Sequence, residues 1–438
     1  MSSVLLIAVI SVVLFIASIL FCPAIMVRYH KKGELCFRSV KIYPLIPLLG
    51  GVAMLVAKDL TIKQVADTFL VNSSVNPIRI LVLFLSMTVF SLILDQTGFF
   101  GYISGVILQK SGKGQIRIFL TLYAVISLLT VFTSNDIVIL TFTPFICYFC
   151  RAGRIDPVPY LVMEFVAANT WSLFLLIGNP TNIYISGAFE IGFTDYILIM
   201  ALPTVAAGLV SLFVMLLLFR KRLSGAIEVE TKVEPITDRP LMWVSLLHLI
   251  LCVALLAVSQ YIHLEMWLIS LFMGLSAVVS SLLCLLVRKK TLAPLGRAIS
   301  RMPFEIIPFV VGMFVLLLGL EGSGLTERLG SLLQGSPQVY SYGISSFLAC
   351  NVLNNIPMSV LFSKILAFGG TAEGIFATVI GSNLGAFLTP VGALAGIMFF
   401  NLLKQNGVKL STGRFVFYGL IVGAPALLSS LVVLSWVL

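Results

Sequence analysis

The sequence predicts an all-α polytopic membrane protein made of two inverted repeats, with re-entrant hairpins and discontinuous helices among about 10–12 hydrophobic segments. Three observations lead there. Hydrophobic residues make up 59% of the 438-residue chain and charged residues 11%, well beyond the roughly half-apolar composition of soluble domains. Runs 4–22, 200–219, 266–287 and 416–438 are long enough, at about 1.5 Å per residue, to cross or nearly cross about 30 Å of hydrocarbon. Finally, Asn-, Gly- and Pro-containing interruptions fall inside apolar stretches in both halves, as in secondary transporters whose sites lie at broken helices near the bilayer midplane. The short alternating strands of an outer-membrane barrel are absent, so the spans are helical.

The first span covers residues 4–22 and is read as retained, because no basic segment precedes it and no small-residue cleavage site follows. Arg28, Lys31, Lys32, Arg38 and Lys41 mark the next loop as cytoplasmic. Residues 42–57 form a short second span, 58–77 an amphipathic external segment, and 78–94 a third span ending at Asp95-Gln96-Thr97-Gly98. Residues 99–108 are too short to cross. Basic residues flank 118–150, which reads as a hairpin turning near Asn135-Asp136, with two full crossings as the alternative. Residues 160–191 are apolar but broken at Gly178-Asn179-Pro180-Thr181-Asn182, where the proline removes a backbone donor. Residues 196–219 then run inward to Arg220-Lys221-Arg222.

The polar stretch 223–239 is a cytoplasmic linker between a transmembrane half at 1–222 and a second at 240–438. Spans 241–261 and 266–287 follow, then 303–320 ending at Glu321-Gly322-Ser323-Gly324. A second hairpin at 342–368 holds Asn354-Asn355-Ile356-Pro357, and a second broken crossing at 376–400 is interrupted at Gly381–Gly385 and Thr389–Gly392. Three landmarks repeat: Asp95 with Glu321, Asn135 with Asn354 and Asn169 with Asn383, at offsets of 226, 219 and 214 residues. The slow drift of these offsets points to repeated halves, and the basic loops orient them oppositely.

The net charge of +10 lies in short loops and reads as topology, with no nucleic-acid partner. Of the seven cysteines most lie in apolar runs as packing residues; Cys147-x-x-Cys150 has the spacing to hold a soft metal or metalloid but lacks the further ligands of a zinc site. No phosphate loop, catalytic triad or metal-hydrolase motif is present, so the chain is expected to be neither an enzyme nor an ATP-driven pump by itself, and to need no cofactor.

Polar residues inside the apolar runs are the site candidates. Ser134, Asn135, Asp136, Asn169, Asn179, Thr181, Asn182, Asn354, Asn355, Asn383 and Thr389 are expected to line a substrate or ion site, since side-chain amides both repair broken backbone and meet a ligand. Asp136, Asp95, Glu164 and Glu321 are the candidates for coupling to a proton or sodium ion. Asp136 leads because its counterpart, Asn355, is neutral.

Thr133-Ser134-Asn135-Asp136 with Thr143-Pro144, Gly178-Asn179-Pro180-Thr181-Asn182-Ile183, and Gly192-Phe193-Thr194-Asp195-Tyr196 resemble the ion transporter superfamily, most closely its arsenite and antimonite efflux permeases. Leu353-Asn354-Asn355-Ile356-Pro357, Gly381-Ser382-Asn383-Leu384-Gly385 and Thr389-Pro390-Val391-Gly392 extend the resemblance over residues 40–438. It implies a multi-pass inner-membrane permease that exports arsenite or antimonite in exchange for protons or with a separate ATPase subunit; the chain is expected to be a monomer or homodimer. The alternatives are a proton- or sodium-coupled carrier of another small anion, such as a dicarboxylate or citrate, and a sodium/proton antiporter. The dicarboxylate branch presents Ser-Asn-Thr at both hairpins, which this chain lacks. It also carries Asn383 where arsenite permeases have an acid.

Overall fold

The structure is a computed structural model that describes residues 3–21, 24–31, 34–70, 76–111, 114–225, 233, 235–259, 261–321, 324–335 and 337–438. The described residues are helical apart from one hairpin and the connecting turns. Helix α1 (Ser3–Phe21) leads into strands β1 (Ala24–Lys31) and β2 (Glu34–Lys41), antiparallel with Ala24 opposite Lys41 and Lys31 opposite Glu34. The sequence reading took this stretch as a plain basic loop. Its β-branched and aromatic residues, among them Ile25, Val27, Tyr29, Phe37 and Val40, favour paired strands instead.

There follow α2 (Leu45–Val56), α3 (Ile62–Leu70), α4 (Pro77–Gln96), α5 (Phe99–Ser111), α6 (Gln115–Phe132), α7 (Asn135–Ala152), α8 (Val158–Trp171), a 3-10 turn at Leu176–Gly178, α9 (Pro180–Ala188) and α10 (Phe193–Phe219). Beyond the linker come α11 (Arg239–Ala257), α12 (Met266–Val287), α13 (Ala293–Ser300), α14 (Ile306–Glu321), α15 (Leu325–Gln334), α16 (Gln338–Leu353), α17 (Asn355–Leu366), α18 (Ala372–Leu384), a 3-10 turn at Gly385–Phe387, α19 (Leu394–Gln405) and α20 (Thr412–Val437).

Helices α4, α6, α10, α11, α12 and α20 are each long and apolar enough to cross a membrane, and α14 with α15 qualifies as a pair bent by 81°. Outward stripes such as Leu198, Leu202, Leu209 and Phe213 on α10, and Trp243, Leu247 and Ile250 on α11, stay exposed because their solvent is lipid. The predicted amphipathic segment is α3, which buries no residue. The joints after Asp95 and Glu321 share one device: Gly98 (φ 78°) and Gly324 (φ 68°) take the left-handed conformation that L side chains avoid.

The chain before the linker and the chain after it interleave. Helix α2 packs on α14, α10 on α20, and the α11–α12 pair on α4, where Ser245 Oγ donates to the Phe90 carbonyl at 2.8 Å. In the linker the Thr237 N–H and hydroxyl both donate to the Thr97 carbonyl, at 3.0 and 3.1 Å, and pin it beside the α4–α5 joint. Close approach depends on glycine. A Cβ on Gly312 would lie 2.2 Å from the Leu48 nitrogen of α2, and one on Gly419 1.8 Å from the Phe387 carbonyl oxygen.

Two outcomes follow from this packing. Gly312→Ala and Gly419→Ala each force backbone apart and are expected to destabilise by about 1–3 kcal/mol, lowering the melting temperature of the detergent-purified protein; Gly413→Ala, with open space at its Cβ, should leave it unchanged. The second concerns Asp238, which caps α11 by accepting from the Leu241 N–H at 3.0 Å and pairs with Arg288 at 2.6 Å. Burial opposes its charge, but the Arg288 hydrogen bond, the Leu241 N–H and the Arg288 and Lys290 charges together hold the carboxyl below its ordinary range. A depressed folded pKa stabilises above the unfolded value, about 3.9, and that contribution is lost as pH falls through the folded value. The melting-temperature gap between wild type and Asp238→Asn, which keeps the cap, should therefore be widest near neutrality and close below about pH 4.

Candidate functional site

Four interruptions bring the polar residues inside. Between α6 and α7, Thr133 and Ser134 leave the helix in extended geometry before Asn135 restarts it. Between α8 and α9 the chain unwinds after Trp171, turns through Leu176–Gly178, and restarts at Pro180, whose missing N–H suits a first helical turn. Between α16 and α17 a single residue, Asn354, breaks the helix at φ 72° and ψ 151°, a region that is costly for any residue but glycine. Between α18 and α19 the chain passes through Gly385–Phe387 and the turn at residues 388–393.

The second of these breaks meets the end of α18, and the first is linked to it through Asn169. Asn383 is fully buried, and its Oδ1 accepts from Asn179 Nδ2 at 2.7 Å and from Ser172 Oγ at 3.0 Å. Its Nδ2 donates to Asn182 Oδ1 at 2.8 Å and the Val379 carbonyl at 2.9 Å, and lies 3.4 Å from Thr181 Oγ1. Asn182 Nδ2 donates to the Ser172 carbonyl at 2.8 Å, mending the unwound stretch, while Asn179 Oδ1 accepts from the Thr181 N–H at 3.2 Å. Ser172 Oγ also donates to the Asn169 carbonyl. Asn169 Oδ1 in turn accepts from Asn135 Nδ2 at 3.0 Å, and Asn135 Oδ1 from the Asp136 N–H at 2.9 Å. Residues 135, 136, 169, 179, 181, 182 and 383 therefore form one buried chain of polar contacts spanning both halves of the sequence.

Asn354, Asn355 and Thr389 form a second cluster around the α18–α19 turn. Asn354 Nδ2 donates to the Val391 carbonyl at 2.8 Å, the Asn355 N–H donates to the Gly392 carbonyl at 2.9 Å, and Thr389 Oγ1 donates to Asn351 Oδ1 at 2.8 Å. Asn355 Oδ1 and Ser134 Oγ are buried without a hydrogen-bond partner. Ser172, Ser382 and Asn351 went unselected from sequence. Asn351 sits one turn before Asn354 on α16, a spacing that faces it into the same break.

The acidic candidates separate into two groups. Asp95 pairs with Arg301, and Glu321 with Lys364 at 2.6 Å; both pairs are partly exposed and tie helix ends together, away from the amide network. Glu164 is fully buried on α8, accepts from Thr143 Oγ1 at 2.9 Å through Oε1, and has no partner for Oε2. Asp136 is buried in the first turn of α7, where the helix N-terminus favours negative charge. Glu305, which pairs with Lys41, is within electrostatic reach of it.

A cavity of about 590 Å³ opens at the C-terminal end of α9. It is bounded by α4, α9 and the α11–α12 turn and lined among others by Arg79, Ser186, Glu190, His263, Glu265 and Trp267. Arg79 pairs with Glu265 and sits 5.3 Å from the centre of the Trp267 ring. Among the described residues no group of three or more His, Cys, Asp or Glu side chains is placed to hold a metal ion.

Comparison with known proteins agrees with a transporter. The fold is similar to the Alcanivorax borkumensis YdaH transporter, with a TM-score of 0.57, 14% identity, and 99% of this chain and 98% of that one covered. It is also similar to Neisseria gonorrhoeae MtrF, from a class of antimetabolite efflux pumps, with a TM-score of 0.53 at 14% identity over 99% and 94%. In sequence the chain is 27% identical to an Escherichia coli arsenical pump membrane protein over 80% of this chain and 85% of that one. An uncharacterized transporter of Mycobacterium tuberculosis is 24% identical over 87% and 91%. The profile of the citrate transporter family (CitMHS) matches residues 35–375, more than half of the chain. With its apolar helices and broken spans, the chain is a multi-pass membrane transporter and belongs to the citrate transporter family.

Proposed function

We propose that this protein is a secondary active transporter of the inner membrane that exports arsenite or antimonite in exchange for protons. The observation that carries the substrate is the neutrality of the buried network. Ser172, Asn179, Thr181, Asn182, Ser382 and Asn383 are all amides and hydroxyls, and among the described residues no lysine or arginine is buried. A citrate trianion placed there would need charges that the network does not supply, and uncompensated burial of even one costs several kcal/mol. An uncharged trivalent hydroxide meets no such barrier. Its O–H groups donate and accept, so each replaces an amide contact of the network. The names of the arsenical pump relatives point the same way.

Asp136 is the coupling residue in this reading. It has a neutral counterpart in Asn355, and its backbone N–H is held by Asn135 at the edge of the neutral amide network, so gain and loss of its carboxyl proton next to that network can alternate with substrate occupancy. The matching breaks at Asn135 and Asn354, and at Asn179 and Gly385, support two inverted repeats that exchange conformations to open alternately to either side. The cavity at Arg79, Glu265 and Trp267 abuts α9 and serves as the outer approach to the network.

In everted vesicles with an acid interior, arsenite is expected to accumulate against its gradient, and Asp136→Asn should cut proton-driven uptake by about tenfold or more with protein level unchanged. Uptake untouched by that substitution sinks the coupling role. Asn383→Ala strands the Asn179 and Asn182 amides and should abolish flux while destabilising the fold by about 2–4 kcal/mol, read as melting temperature. Competition of arsenite uptake by citrate at equal concentration would favour the tricarboxylate reading over this one.

A further inference from the structure

The transport reading leaves one sequence motif unused, Cys147-x-x-Cys150. On α7, Thr143, Cys147 and Cys150 follow at i, i+4 and i+7 and share one helix face. Both cysteines are free thiols and both are buried, at 3% and 1% exposure. From α8, Glu164 reaches the same face: Oε1 accepts from Thr143 Oγ1 at 2.9 Å, and the Cys147 thiol lies within its electrostatic reach. Its other carboxylate oxygen, in a side chain with no exposed surface, has no hydrogen-bond partner. A buried carboxylate oxygen without a partner, beside the first of two neighbouring thiols, points to something that binds there.

A divalent metal is a poor fit. Structural zinc takes four ligands, and no group of three or more ligating side chains is assembled among the described residues. A trivalent metalloid hydroxide needs less. It is uncharged, prefers sulfur, and stays stable on two sulfur bonds with one hydroxyl retained. Cysteines three apart on a helix have Cβ atoms about 5–6 Å apart, a span that two sulfurs bonded to one atom can close.

We propose that Cys147 and Cys150 form a covalent capture site for a trivalent arsenic or antimony hydroxide, with Glu164 as its proton relay. In the arsenic case two S–H and two As–O bonds break, two As–S bonds form, and two waters leave; arsenic stays trivalent throughout. The Cys147 proton passes through the free oxygen of Glu164 to one departing hydroxyl, and the Cys150 proton goes directly to the other. The site lies near Arg151 and Arg154, on the face that the basic loops assign to the cytoplasm. Along α7 it is about 18 Å from Asn135 at the helical rise. It is distinct from the amide network and stands whichever ligand crosses there.

The test is arsenic binding by the reduced, detergent-purified full chain, by elemental mass spectrometry after removal of free arsenite, with maleimide labelling of each cysteine read by peptide mass. Wild type should hold about one arsenic per chain, with Cys147 and Cys150 both protected. Cys147→Ser and Cys150→Ser should each weaken binding roughly a hundredfold, and Cys252→Ser should not. Glu164→Gln should slow binding about tenfold at unchanged stoichiometry. Arsenic retained by the doubly substituted Cys147→Ser/Cys150→Ser protein, no arsenic on wild type, or zinc bound in place of arsenic overturns the site. Arsenite flux in vesicles separates the two readings: binding without flux sinks only the transport proposal, and flux with both thiols open to maleimide sinks only this one.

Discussion

Everything in this structure depends on how asparagine side chains repair broken backbone. A helix interrupted inside hydrocarbon exposes carbonyls and N–H groups with no water to meet them, and each left unpaired costs several kcal/mol. Here the repair is local and repeated. Asn182 serves the carbonyls of Ser172 and Leu175, Asn351 those of Phe347 and Gly385, and Asn354 that of Val391. A side-chain amide suits this because it donates and accepts without charge. The same property leaves amides free to pair with each other, which is how Asn383 joins α18 to the start of α9.

Charge is distributed by the same constraint. Asp95, Asp238, Glu265, Glu305 and Glu321 each hold a lysine or arginine, and each lies where the partner's long side chain reaches the edge of the apolar region. Asp136 and Glu164 are the buried carboxylates with no such pair among the described residues. Partly exposed pairs of the first kind stabilise little but fix which helix ends stay together. A buried carboxylate without a cation needs a proton, an ion or oriented dipoles to be tolerated. The two groups therefore differ in setting: one is paired at helix ends, the other is buried without a cation among the described residues.

How much of this was legible in the sequence follows from which signals are local. The apolar runs located α4, α10, α11, α12 and α20, and proline, glycine and asparagine located the four breaks to within a few residues, because those residues act on their own backbone. Asn135, Asn169, Asn179, Asn182 and Asn383 were selected for being polar in apolar runs, and they do meet. That Asn354, Asn355 and Thr389 gather around the α18–α19 turn, and that Ser172 and Ser382 join the network, depends on helix packing that no local signal encodes. The β-hairpin is not legible from charge, because the basic residues of β1 and β2 report sidedness and carry no information on local backbone. The arginine and lysine partners of Asp95 and Glu321 lie 206 and 43 residues away and are invisible in sequence.

The network's self-satisfaction bears on what kind of carrier it makes. With Asn179, Asn182, Ser172 and Asn383 bonded to one another, a hydroxylic ligand gains hydrogen bonds only by breaking ones of similar strength, so the exchange is close to neutral. That is unsuited to tight retention and suited to a carrier, which must release what it binds on the far side. In the proposed reading it also sets the selectivity. A charged ligand would have to recover its hydration from neutral amides and dipoles, whereas an uncharged hydroxide loses little on entering, and the discrimination between them comes from desolvation more than from any added contact.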